Sequence, residues 1–201
     1  MARFGCMLTL MAWLLGAGLA YADEDKERER RRDERRLSGL EARAKKFAAS
    51  DASELSVFLQ QESARVLERC RALLPSSSYR FDRMLEALDD LLDTRDDLQE
   101  AASPANSRRK EDDERRETAK RLERAYFRVQ QADYFAKLSE DKHASEYIGF
   151  SRQLYQRART AYDAQEYHRA NHLASASSEL VSVLENFAQS AVRKPEPPEL
   201  K

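Results

Sequence analysis

The sequence contains little glycine: five residues in 201, of which Gly5, Gly16 and Gly18 lie in an apolar N-terminal stretch. Average usage is ~7%. Gly39 and Gly149 stand far apart in the rest of the chain, whereas glycine-rich phosphate loops and nucleophile elbows need clustered glycines. Repeated tight turns of β-sandwiches and barrels also use glycine. We therefore expect neither a phosphate-binding loop nor an all-β fold.

An excess of one charge is also missing, because 35 Lys and Arg residues face 36 Asp and Glu residues. A near-neutral chain has no global field that steers it toward nucleic acid, so we expect no nucleic-acid partner. The acidic and basic residues of 23–48 alternate in a charged arm. Its first part, 23–36, has no apolar side chain, and we predict that the arm is helical or disordered.

The N-terminus has the pattern of an export signal. Arg3 precedes an uncharged apolar run over 4–20, and the small residues Ala20 and Ala22 precede the first acid, Asp23. These features predict a cleavable signal peptide, residues 1–22, and a periplasmic or secreted protein. The alternative is an uncleaved membrane anchor, although the run is shorter than the ~20 residues of a spanning helix. We expect no transmembrane segment after signal removal.

Cysteine is scarce, and cleavage would remove Cys6 and leave Cys70 as a free thiol. Cys70 follows Val66 and precedes Leu74 at helical spacing, which favours a small buried core residue. Because exported proteins usually pair their cysteines, a disulfide between two copies is the alternative. A homodimer is therefore one of the expected assemblies.

Apolar residues recur with a period of 3.6 from residue 49 to residue 192. This pattern predicts an all-α domain without a sheet: an antiparallel helical bundle or helical-hairpin array of about five helices. A Pro-rich tail, 193–201, follows. The predicted apolar faces are Leu55, Phe58, Leu59, Val66, Leu67, Cys70 and Leu74; Phe81, Met84, Leu85, Leu88, Leu91, Leu92 and Leu98; Ala119, Leu122, Tyr126, Val129 and Ala136, with Ala125 and Ala132 alongside; Ala144, Tyr147, Ile148, Leu154, Tyr155, Ala158, Ala161 and Tyr162; and Tyr167, Ala170, Leu173, Ala174, Leu180, Val181, Leu184, Phe187 and Ala188.

Capping patterns set the predicted helix starts. Ser50 or Asp51 with Glu54, and Asp163 with Glu166, have the spacing of a capping box. Gly39 is expected at a hinge after the charged arm and Gly149 at a close contact inside a helix.

The run Ala161-Tyr162-x-x-Gln165-Glu166-Tyr167-x-x-Ala170 resembles the middle of a tetratricopeptide-type helical hairpin. The resemblance covers about residues 142–192, and that family usually has glycine where Gln165 stands. It implies a hairpin packing that such repeats use to dock other proteins. The sequence contains no convincing second copy of the unit.

Two acidic positions are candidates for a divalent ion. Asp89, Asp90 and Asp93 spell DDxxD, the magnesium-diphosphate signature of isoprenoid synthases, and Asp89 and Asp93 lie one helical turn apart. The second acidic motif of those enzymes is missing. We therefore expect a solvent-exposed face, with divalent-ion binding as the alternative.

His168 and His172 are separated by four residues and could share a metal ion on one helix face. A third ligand, Glu166 or Asp163, would come from the start of that helix. Because surface histidine pairs often bind metals only weakly, we favour no metal and no cofactor. Glu140-x-x-His143 is half of a ferritin-like carboxylate motif and lacks its other half.

No nucleophile–base pattern indicates catalysis, so the sequence predicts a protein that is not an enzyme. The expected function is that of an exported protein-binding adaptor, assembly or chaperone-like factor of the cell envelope. Its partners would be envelope proteins bound by the hairpin 142–192 and by the charged arm. The alternative is a metal-binding or metal-sensing envelope protein.

Overall fold

The computed structural model describes residues 27–46, 53–76, 79–104 and 111–192. Within these ranges the structure is 93% helical and contains no strand, so the all-α prediction is confirmed. Six helices are present in the described ranges, and the predicted count of about five is not confirmed. Residues 27–46, within the segment predicted as a charged arm, form a helix.

The helices follow one another through short connections. Helix α1 covers residues 27–46, and a 3₁₀ turn, Leu74–Ser76, follows the helix Glu54–Leu73. The bounds of the other helices are α2 Glu54–Leu73, α3 Tyr79–Ala102, α4 Glu111–Ser139, α5 Ala144–Asp163 and α6 Tyr167–Ala191. None of the helices in the described ranges combines the length and apolarity that a membrane crossing requires.

Helix α6 lies at the centre of the fold and contacts α3, α4 and α5. Its buried face is rich in small residues, including Ala170, Ala174 and Ser177. Small side chains let neighbouring backbones approach closely, and the Ser177 hydroxyl donates a 2.7 Å hydrogen bond to the Ser151 carbonyl of α5. The alanine- and serine-rich composition of this segment thus explains how three helices pack around α6.

The apolar faces predicted for α2, α3, α5 and α6 form the core. Each fully buried leucine or phenylalanine contributes about 1.5–3 kcal/mol relative to an exposed one. Phe58, Leu67, Leu74 and Leu98 lie half-buried at its margin. Large side chains with almost no exposed surface are Tyr147, Phe81, Leu59, Leu85, Leu88, Leu91, Leu92, Leu154, Leu173, Leu180, Leu184 and Val66.

The face predicted for α4 is wrong in part. Ala125, Val129 and Ala132 are buried, whereas Ala119 and Tyr126 are exposed. Ala125 and Ala132, which were predicted to lie beside the apolar face of α4, lie at the centre of its buried face. Their small side chains let α4 approach the small residues of α6 closely. The aromatic side chains of Tyr126, Phe127 and Tyr134 therefore point away from the core.

Two predicted helix starts are also wrong. The N-cap of α2 is Ser53, whose hydroxyl accepts a 3.3 Å hydrogen bond from the Ser56 N–H. Asp163 is the last residue of α5, and the N-cap of α6 is Glu166, which makes no side-chain capping bond. Between them Gln165 takes a left-handed φ of 64°, the backbone form for which the tetratricopeptide-type pattern has glycine.

Neither described glycine has the expected role. Gly39 lies within the continuous helix α1, so it is not a hinge. Gly149 is exposed on α5, and a methyl group added at either glycine would meet no atom within 4 Å. The predicted close contact at Gly149 is therefore wrong, and both positions have room for a larger residue.

Candidate functional site

Helix α4 exposes a row of large apolar side chains, which we call the α4 surface: Tyr126, Phe127, Tyr134 and Leu138. Phe127 is 57% exposed and Tyr134 62% exposed. Phe127, Tyr134 and Leu138 follow i, i+7 and i+11 spacing and so share one side of the helix. Isolated exposed apolar residues are common, but a row on one helix face is typical of a docking surface.

Aromatic contacts fix parts of this surface against the body. The Tyr126 ring lies 6.0 Å from the Tyr155 ring of α5, and 5.6 Å from that of Phe127. The Tyr134 ring lies 5.6 Å from that of Phe135, which is half-buried against the core. These contacts restrict the exposed rings, so the rings would lose little side-chain entropy when a partner binds them.

A groove of about 620 Å³ runs beside the α4 surface, between α4 and α6. On its α4 side, Arg128 donates a 2.8 Å hydrogen bond to the Ser182 hydroxyl and forms a 2.8 Å ion pair with Glu185. Arg121 donates to the Ser175 hydroxyl. The groove is thus lined by the Phe127 ring and, beside it on α4, by several guanidinium groups.

The two predicted histidines lie together where α3 ends and α6 begins. Atoms of His168, His172 and Glu100 that can ligate a metal lie within 4.8 Å of one another. The third residue of this set is Glu100, from α3, and neither Glu166 nor Asp163. The sequence pattern missed it because Glu100 reaches the histidines only through the packing of α3 on α6.

Each histidine also has a hydrogen-bond partner on α3. Nδ1 of His172 lies 2.6 Å from Oδ1 of Asp97, and Nε2 of His168 lies 3.2 Å from the Glu100 carbonyl oxygen. The two imidazole rings meet edge to face with centroids 4.7 Å apart. Both rings are thus oriented by α3.

Further acids extend this polar contact along α3 and α6. Burial raises the pKa of Asp90 to about 7, against the opposing effect of a 2.9 Å hydrogen bond from the Asn186 amide. Burial also raises the pKa of Glu179, and the charges of Asp97 and Asp93 raise it further. The interior of this interface therefore favours neutral carboxyl groups.

The other predicted metal ligands face a cation of the protein itself. Arg43 of α1 donates a 2.8 Å hydrogen bond to Asp89 and pairs with Asp93 and Asp96. The guanidinium group occupies the position that a divalent ion bound by Asp89 and Asp93 would need. These acids consequently attach α1 to α3, and they lie apart from the histidine cluster.

A buried ionic network between α2 and α5 was not predicted. Arg65 forms ion pairs with Glu62 and Asp141, the latter at 2.8 Å, and Tyr147 donates a hydrogen bond to Glu62. His143 lies 3.8 Å from Glu62 at the edge of the network. A sequence signal existed, because Glu62 falls on the same helix face as the buried residues of α2.

Cys70 lies fully buried in the core as a free thiol. Burial raises its pKa to about 12, so it is protonated at neutral pH and little suited to nucleophilic chemistry. A disulfide to another chain would require α2 to separate from the core. Ala20, Ala22 and Asp23 of the predicted cleavage site lie outside the described residues.

Comparison with known proteins gives no relative, since no known protein family, no curated protein and no solved structure matches the chain. The resemblance of 142–192 to a tetratricopeptide-type hairpin therefore stays a prediction.

Proposed function

We propose that the protein is an exported, non-enzymatic adaptor that binds another protein of the cell envelope through the α4 surface. The observation that carries this proposal is the exposure of Phe127, Tyr134 and Leu138 along one side of a helix whose opposite side is buried. A surface of this kind suits an amphipathic helix or apolar segment of a partner, which would cover the exposed rings.

The groove suggests the charge of that partner. Arg121, Arg124 and Arg128 line it on the α4 side, next to Phe127. A partner segment with carboxylates beside its apolar residues would place those acids against the guanidinium groups, which adds rate and specificity to binding. Export is supported by the pattern of residues 1–22, and the envelope is the compartment that this pattern implies.

The proposed architecture is an open array of helices that run alternately in opposite directions. Contacts between α3 and α6 support it, since Arg83 bonds Gln189 at 3.0 Å while Asp97 bonds His172 near the other end of both helices. In this array α4 is an outer helix, with α5 and α6 on one side and the proposed partner on the other.

Site-specific photo-crosslinking tests the surface directly. Benzoylphenylalanine is placed at Phe127 or Tyr134 in cells that export the protein, and at the exposed positions Gln60 and Gln156 on other helices as controls. We expect one discrete adduct with another envelope protein from the α4 positions only. Equal adducts from all four positions, or none from any, would contradict the proposal.

A matched pair of variants then tests the energetic role of the exposed rings. Phe127→Ser with Tyr134→Ser should abolish retention of the crosslinked partner in pulldown without changing the circular dichroism spectrum. Val57→Ser removes an exposed apolar residue from α2, 45% exposed, and should leave retention unchanged. An adduct whose mass is twice that of the chain would instead identify a homodimer through the α4 surface.

A further inference from the structure

The cluster formed by Glu100, His168 and His172 has a role that protein docking does not explain. Two imidazoles and one carboxylate from two different helices point to the same place. We propose that these three residues bind Zn²⁺, with a water molecule as the fourth ligand. Two histidines and one glutamate are a known ligand set for zinc with one open position.

The way in which α3 packs along α6 brings Glu100, His168 and His172 together. His168 and His172 lie one turn apart on α6, and Asp97 and Glu100 lie nearly one turn apart on α3. Because the helices pack side by side, Asp97 contacts His172 through its carboxylate, and Glu100 contacts His168 through its backbone carbonyl. Each histidine is therefore matched with one acid, and the acid at the end of α3 is free to turn toward the ion.

Asp97 lies where it can orient the imidazole ring of His172. A zinc-bound histidine usually gives its other N–H to a carboxylate, which fixes the ring and makes the ligating nitrogen more basic. The 2.6 Å contact between Asp97 Oδ1 and His172 Nδ1 is this arrangement, and it leaves Nε2 of His172 for the metal. In His168, Nε2 faces the Glu100 carbonyl, so Nδ1 is the available nitrogen.

The distances require only a small adjustment. Zinc bonds of about 2.0–2.2 Å place tetrahedral ligand atoms about 3.3 Å apart. The ligand atoms now lie within 4.8 Å of one another, and rotation of the exposed Glu100 side chain about its own bonds can bring its carboxylate closer to both histidines. Its position in the last turn of α3 leaves that rotation unhindered by the core.

An opening to solvent adjoins the cluster. A cavity of about 690 Å³ has His168 in its wall, together with Ser103, Glu114 and Glu166. It gives the ion a route in and supplies the water of the fourth position. The Glu114 carboxylate in its wall increases the local attraction for a cation, whereas Glu166 is paired with Arg169 at 3.0 Å.

Calorimetric titration of the full chain with ZnSO₄ tests the site. We expect one ion per chain with a dissociation constant below about 10 µM, and no competition from millimolar Mg²⁺ or Ca²⁺, because imidazole favours zinc over those ions. Replacement by Co²⁺ should give the visible absorption bands of a tetrahedral site. A dissociation constant weaker than about 0.1 mM would overturn the proposal.

The variants identify the ligands. Glu100→Gln changes an exposed residue, so it should weaken binding by at least about tenfold while the fold persists, and Asp97→Asn should weaken it by about tenfold. His172→Ala should abolish the cobalt bands. His143→Ala removes the third histidine of the chain and should leave binding unchanged. Equal loss in His143→Ala and His172→Ala, or no loss in Glu100→Gln, would show adventitious binding only.

Discussion

The Tyr147 hydroxyl of α5 donates a 2.9 Å hydrogen bond to Oε2 of Glu62 on α2, and both residues are buried in the core. A buried carboxylate is tolerated only where charge and hydrogen bonds compensate it. Arg65 supplies the charge and Tyr147 supplies the second donor. The pair therefore fixes how α2 and α5 meet, with a specificity that apolar packing alone would lack.

Tyr147→Phe should lower the free energy of unfolding by about 1–3 kcal/mol, because a buried acceptor loses one of its donors while the ring still fills its space. Urea denaturation followed by circular dichroism measures the change. Tyr134→Phe, which removes an exposed hydroxyl, should change stability by less than about 0.5 kcal/mol. Equal effects of the two substitutions would show that the Glu62 contact contributes nothing.

The pH dependence of stability should carry the signature of Asp90. Its pKa rises from 3.8 to about 7 on folding, mainly through burial, so the folded state holds a proton that the unfolded state releases. Between pH 4 and pH 7 the folded state binds more protons than the unfolded one, and stability falls as the pH rises. Because Asp90 is only partly buried, we expect a loss of about 1–2 kcal/mol.

Asp90→Asn keeps the hydrogen bond from Asn186 and removes the titration. The slope of unfolding free energy against pH should therefore become shallower between pH 4 and pH 7. It should not vanish, since burial raises the pKa of Glu179 in the same direction. Asp163→Asn, at an exposed acid, is the matched control, and a slope that changes equally in both variants would contradict the assignment.

Arg43 should be the residue that holds α1 on the body, since it bonds Asp89 and pairs with Asp93 and Asp96 of α3. Arg43→Ala should increase amide hydrogen exchange over residues 36–46. The global cost should stay near about 1 kcal/mol, because the three acids are half-exposed. Arg30→Ala breaks only an exposed i,i+4 pair within α1, and unchanged exchange in both variants would refute the role of Arg43.

The sequence predicted those parts of the fold that depend on local periodicity. Phe81, Leu85, Leu88 and Leu92 of α3 recur at helical spacing and are all buried. The face of α4 was mispredicted because alanines and tyrosines on that helix compete for the core, and spacing alone does not rank them. Ala125 is buried and Tyr126 exposed because α4 packs against the face of α6 that carries small residues.

The candidate sites, too, could be predicted from the sequence only where they depend on a single helix. The proximity of His168 and His172 could be predicted from the sequence, since it depends on their spacing along α6 alone. Glu100 was not, because its approach to His168 depends on how far α3 slides along α6. The exposure of Phe127 depends likewise on which helices cover α4, and no periodicity within α4 contains that information.

Gln165 stands where the chain needs a left-handed residue, with a φ of 64°. A side chain in that conformation costs roughly 1–2 kcal/mol, whereas glycine adopts it freely. Gln165→Gly should therefore raise the free energy of unfolding by about 0.5–1 kcal/mol after the added flexibility of the unfolded chain is deducted. Gln165→Ala keeps the Cβ atom, and a gain as large as that of the glycine variant would disprove this reason.

Gly149 lies inside α5 with open space around it, so the opposite substitution should stabilise the protein there. Gly149→Ala should raise the free energy of unfolding by about 0.5–1 kcal/mol, because alanine favours helix more than glycine does.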